Sequence, residues 1–144
     1  SERFFYFENV KEQDGLFLET MKLLYPLETR TETKIIRRNK HLFLKQFKND
    51  GFYLIDSLET PFEKKYSQSE KVKFLKERQL ELLNKIRSLS NSETKVILIS
   101  VPVFKANYIY LKSNGINLLN TEYIDFPGSG GQKKFKEKMS QIFY

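Results

Sequence analysis

Lys95-Val96-Ile97-Leu98-Ile99-Ser100 is a short apolar run without polar alternation. That pattern reads as a strand buried on both faces of a sheet. Val103 to Ser113 then reads as a helix closed by Asn114-Gly115, and Leu118 to Phe126 holds a further, less regular strand. Upstream, Phe52-Tyr53-Leu54-Ile55-Asp56 is a similar run, bounded by Gly51 and by a loop containing Pro61. Arg3-Phe4-Phe5-Tyr6-Phe7 reads as a short strand or a packed aromatic loop.

Helical periodicity separates these runs. Asp14 to Leu24 places Leu16, Phe17, Met21 and Leu24 on one side and stops before Pro26, and Ile35 to Asn49 forms a second helix closed by Asp50-Gly51. Ser67 and Glu70 make a capping box at the start of a third helix, in which Val72, Leu75, Leu82, Leu83, Ile86 and Leu89 recur at helical spacing. The last helix runs from about Gln132, with Phe135, Met139, Ile142 and Phe143 inward. Strands alternating with helices predict one three-layer α/β/α domain with a mainly parallel, roughly four-stranded sheet over residues 1–144. Ligands of such sheets sit beyond the carboxyl ends of the strands, which points to Asp56, to Ser100–Val103 and to the Phe126–Gly131 loop.

Composition narrows the function classes. The chain has 144 residues, enough for a core of its own. No apolar run is long enough to span a membrane, and the start has no signal-peptide pattern. The absence of cysteine excludes disulfides, thiolate nucleophiles and thiolate metal sites, which favours a cytoplasmic setting. The net charge of +7 suits a polyanionic partner such as DNA, and it is equally the surface of a lysine-rich protein.

Several residues are candidates for chemistry. Asp56 ends an apolar strand, so its carboxylate is a turn cap or a hydrogen-bond acceptor for base N–H groups. Pro127, Gly128, Ser129, Gly130 and Gly131 lead into a helix that starts with Lys133 and Lys134. Glycines allow close backbone approach, and a helix N-terminus favours phosphate. The same loop also reads as a plain turn, and it lacks the spacing of a P-loop. Phe5 and Tyr6 are candidates for stacking on a base, with core packing the competing use. Arg30, Lys34, Arg37, Arg38 and Lys40 form a basic cluster suited to phosphate contacts or to a solvated helix face. His41 is the only histidine and has no triad or metal-ligand spacing around it, so no metal site and no cofactor is expected.

Taken together, four segments resemble the uracil-DNA glycosylase superfamily. Gly51-Phe52-Tyr53-Leu54-Ile55-Asp56-Ser57-Leu58-Glu59-Thr60 is similar to the superfamily strand that ends in a base-recognising Asn, here Asp56. Val96-Ile97-Leu98-Ile99-Ser100 resembles the next strand, and Tyr123-Ile124-Asp125-Phe126-Pro127-Gly128-Ser129-Gly130 resembles the late loop that enters the DNA minor groove. The opening Ser1-Glu2-Arg3-Phe4-Phe5-Tyr6 resembles a stretch of uncharacterised members just after their first Gly-rich motif. The resemblance implies a monomeric DNA-binding protein of DNA repair, with excision of a flipped, damaged base if it is active. In that reading Phe5 or Tyr6 stacks on the base, Asp56 reads its edge, the Pro127–Gly131 loop presses on the backbone, and Lys133 and Lys134 meet phosphates. The chain departs from the superfamily in three ways: the first motif and first strand would lie before Ser1, Asp56 replaces the Asn, and Phe126 replaces the loop histidine. Those departures imply the alternatives of an inactive DNA-binding module or a protein that binds a nucleotide or phosphate.

Overall fold

The structure is a computed structural model; it describes residues 5–6, 14–57, 65–128 and 130–144. The expected three-layer α/β arrangement is not what these residues form. Helices account for 57% of the described residues, and among them no sheet is present. The chain divides into two compact units, Ser1–Asp56 with Phe126–Tyr144, and Ser57–Asp125.

The first unit holds α1 (Gly15–Leu24), α2 (Thr33–Arg38), α3 (Lys40–Asn49) and α7 (Gln132–Phe143). Its core is largely aromatic. Phe5 sits edge-on to Phe17 with centroids 5.9 Å apart and lies 5.3 Å from Phe47, which stacks on Phe52 at 5.1 Å. Leu18, Met21 and Ile36 complete the cluster. Helix α7 packs on α1, burying Phe135 and Met139, and Phe143 meets Phe52 at 6.0 Å. The helix expected over Ile35–Asn49 is broken at Asn39, whose side-chain amide donates to the Ile35 carbonyl at 3.1 Å. Such back-bonding by Asn competes with the regular ladder and bends the chain there.

The second unit holds α4 (Gln68–Lys76), α5 (Gln79–Leu89) and α6 (Val101–Ser113). The capping box is present in full: the Glu70 N–H donates to Ser67 Oγ at 3.2 Å and the Ser67 N–H donates to Glu70 Oε1 at 2.9 Å. The long helix expected after it divides at Glu77 and Arg78. The Arg78 guanidinium donates to the Phe74 carbonyl and lies 3.5 Å from the centre of its ring. Helix α6 packs on both α4 and α5, and Leu75, Leu82, Leu83, Ile86, Ala106 and Leu111 are buried.

Among the described residues, the three apolar runs expected as strands build no sheet. Segments 96–100 and 117–124 run side by side through one isolated parallel bridge, Val96 with Leu118. Beyond the bridge, the side chain of Asn120 takes over. Its Oδ1 accepts from the Leu98 N–H at 2.9 Å, and its Nδ2 donates to the Leu98 carbonyl at 2.9 Å and to the Glu122 carbonyl at 3.0 Å. Segment 52–56 is treated in the same way. The Tyr6 hydroxyl accepts from the Leu54 N–H at 2.8 Å and donates to the Leu54 carbonyl at 3.2 Å. The physical reason for the missing sheet is therefore specific. Buried backbone groups need partners, and here side chains supply them at Leu54 and Leu98, while backbone bonds to residues 117–124 serve only Val96 and Ser100.

Loss of the Asn120 side-chain amide strands three backbone groups, and loss of the Tyr6 hydroxyl strands two. Asn120→Leu is expected to destabilise by about 3 kcal/mol, because Leu98 and Asn120 are both buried, and Tyr6→Phe by about 1–2 kcal/mol at its half-buried position. Urea unfolding midpoints of the two variants check both values.

Candidate nucleic-acid interface

Of the three places expected to line the site, Asp56 and the Phe126–Gly131 loop fall in the first unit and Ser100–Val103 in the second, and the structure separates the candidate residues by role. Phe5 is only 3% exposed, and its ring is taken up by the core contacts with Phe17 and Phe47. Tyr6 is half-buried, with its hydroxyl committed to the Leu54 backbone. Asp56 is half-buried at the end of the segment that Tyr6 holds. Phe52, four residues earlier, packs on Phe143 at the C-terminal end of α7. The glycine loop leads into the other end of that helix, about 16 Å away at the usual helical rise. The sequence-based expectation of one crevice lined by strand ends thus loses its sheet.

The glycine loop and the lysines that follow form a group of their own. Pro127 is fully buried, and its carbonyl oxygen lies where a side chain at Gly15 would stand, so Gly15 is what lets the loop seat on the start of α1. Gly130 has φ +78°, a conformation that favours glycine, and the Gly131 N–H donates to the Gly128 carbonyl at 3.2 Å. Ser129 lies outside the described residues. Gly131 is the N-cap of α7; it offers no side chain to cap the helix, and the first turn contains no acidic residue. Lys133 and Lys134 occupy the second and third helical positions, and both are exposed, as is Lys136. Four lysines fall in α7 against a single acidic residue, Glu137.

This arrangement runs against helix electrostatics. Positive side chains beside the positive end of a helix dipole each cost roughly 0.3–1 kcal/mol, and an acidic, capped start is favoured. Helix α4 follows the rule with Ser67 and Glu70; α7 inverts it with a glycine N-cap and lysines in place of an acid in its first turn. An anion placed there satisfies both the N–H groups and the ammonium groups.

The upstream basic cluster does not act as a unit. Arg37 is turned inward: its Nε and Nη2 donate to the two carboxylate oxygens of buried Asp14, each at 2.9 Å. Lys40 is buried, its Nζ 4.5 Å from the centre of the Phe17 ring. Arg30, Lys34 and Arg38 remain exposed, and Lys34 meets Glu32 at 3.3 Å. The Asp14–Arg37 pair was not legible in the sequence, since 23 residues separate its members. Beside these helices lies a cleft of about 550 Å³, lined by Tyr25, Glu28, Thr31, Ile35, Ile36, Asn39, Leu42, Phe43 and Gln46. Burial, together with a 2.6 Å bond to the Asp50 carboxylate, pushes the Tyr25 phenol well above its ordinary range. Among the described residues no group of His, Cys, Asp or Glu is placed to hold a metal ion, and no helix is long and apolar enough to cross a membrane.

Compared with known protein families, with curated proteins and with solved structures, the chain matches none.

The two partners of the inward ion pair are unequal, and variants expose the difference. Arg37→Ala leaves the Asp14 carboxylate buried without its counter-ion and is expected to cost about 3–5 kcal/mol, whereas Asp14→Ala leaves a guanidinium that water still reaches and costs about 1.5–3 kcal/mol. Chemical denaturation of both variants at neutral pH checks the order.

Proposed function

We propose that this chain is a DNA-binding module that takes the phosphate backbone at the N-terminal end of α7. One observation carries the reading: Lys133, Lys134 and Lys136 stand exposed near a helix start whose N-cap is a glycine and whose first turn contains no acidic residue. The surplus of 25 basic over 18 acidic side chains supports it as a long-range attraction for a polyanion. The reading includes a monomer acting in the cytoplasm, with no cofactor. Excision of a damaged base, with Asp56 at the base edge, is the extension that the superfamily resemblance alone supports.

Counter-ion release gives the test. Binding to a fluorescent oligonucleotide, measured as salt is raised, is expected to fall linearly on logarithmic axes. Replacing Lys133, Lys134 and Lys136 together by Gln is expected to reduce the slope by about 2, at roughly 0.7 per phosphate contact on a single strand. An unchanged slope would refute the assignment to α7. The same oligonucleotides carrying uracil, hypoxanthine or xanthine, cleaved with alkali, test excision; abasic product lost in Asp56→Ala is the result that supports it.

A further inference from the structure

The cleft beside α2 and α3 shares no lining residue with α7. Its volume of about 550 Å³ falls within the roughly 300–1,000 Å³ usual for small-molecule sites. Ile35, Ile36, Leu42 and Phe43 give it apolar walls, and the Phe43 ring lies 6.3 Å from that of Tyr25. Ile36 is buried beneath the cleft, whereas Leu42 is 56% exposed at its edge. The polar groups of the lining divide by kind. The donors are at work inside the fold: the Tyr25 hydroxyl and the Gln46 amide both donate to Asp50, at 2.6 and 2.9 Å, and the Asn39 amide donates to the Ile35 carbonyl at 3.1 Å. The acceptors are open. Among the described residues, the Glu28 carboxylate, Asn39 Oδ1 and Gln46 Oε1 have no hydrogen-bond partner, and the Thr31 hydroxyl is free to serve in either sense.

Charge selects the ligand. Among the described residues of the lining Glu28 alone is charged, in a chain whose basic side chains outnumber the acidic by 25 to 18. Burial first, then the Asp50 carboxylate and then Glu28 hold the Tyr25 phenol above its ordinary range, so the potential around that ring is negative. We propose that the cleft binds a small organic ammonium ion, its apolar body against Ile35, Ile36, Leu42 and Phe43 and its N–H groups donating to Glu28 and to the open amide oxygens. An ammonium group is all donor and carries the charge that Glu28 lacks beside it. An anion of the same shape meets a carboxylate instead of a cation. The site is independent of the phosphate-binding reading of α7.

Three ligands of one shape test it: tryptamine, tryptophol and indole-3-propionate, which carry a cation, a neutral hydroxyl and an anion on the same ring and linker. Binding is followed by amide NMR shifts at low salt. Tryptamine is expected to bind about fivefold tighter than tryptophol, the upper end for one solvent-exposed ion pair, and indole-3-propionate weakest. Shifts are expected at Ile35, Ile36, Asn39 and Phe43. That order opposes the net charge of +7, which by itself favours the anion. Glu28→Gln, at an exposed position, should bring tryptamine to the affinity of tryptophol. Leu42→Ser, also exposed, should weaken both ligands by the same factor, which separates the apolar wall from the charge. No binding of tryptamine at millimolar concentration, shifts confined to other residues, a preference for tryptophol or indole-3-propionate, or a Glu28→Gln variant that still prefers tryptamine would each overturn the proposal.

Discussion

The hydrogen-bonding demand of two backbone positions, half-buried Leu54 and buried Leu98, governs how this chain is built. Each lies in an apolar segment, and each has both an N–H and a carbonyl that water does not fully serve. Tyr6 meets the first demand and Asn120 the second, each with one polar group that donates and accepts. An unpaired buried amide costs on the order of 1–3 kcal/mol, so neither segment is stable in place without its partner. Side chains fill this role at Leu54 and Leu98, backbone bonds to residues 117–124 serve Val96 and Ser100, and helices supply the rest of each core.

That constraint also explains which parts of the fold were legible. The Ser67–Glu70 box, the start of α7 at Gln132 and the body of α1 follow from local rules, and they are found where those rules place them. The sheet was misread because four or five consecutive apolar residues look alike in a strand and in a segment that joins no sheet. The residues that decide between the two lie 48 positions away for Leu54 and 22 for Leu98, and nothing local marks them. Two expected helices divide at Asn39 and at Glu77–Arg78, and Asn39 and Arg78 each turn a side chain back onto a carbonyl four residues earlier.

The functional surface was legible in part. The glycines and lysines around α7 advertise an anion site by composition alone, and the structure adds that the helix has a glycine N-cap and that the lysines are exposed. Phe5 was open to two readings, stacking or core packing, and it is buried among Phe17 and Phe47. The basic cluster from Arg30 to Lys40 could not be divided from sequence, because its division depends on the buried carboxylate of Asp14 and the ring of Phe17. Phe126 entered the sequence reading as the start of a loop expected at the ligand site and as a departure from a family pattern, and its exposure is set by the fold rather than by local spacing.

Hydrogen exchange at single amides tests the central claim most directly. The Val96, Leu98 and Ser100 N–H groups each have a partner along one edge of their segment, whereas Ile97 and Ile99 face the other edge. The account predicts slow exchange at Val96, Leu98, Ser100 and Leu54, fast exchange at Ile97, Ile99, Tyr53 and Ile55, and loss of protection at Leu98 in Asn120→Ala. Uniform protection across residues 96–100 and 53–55, unaffected by Asn120→Ala, would mean that the segments are strands of a continuous sheet and would contradict it.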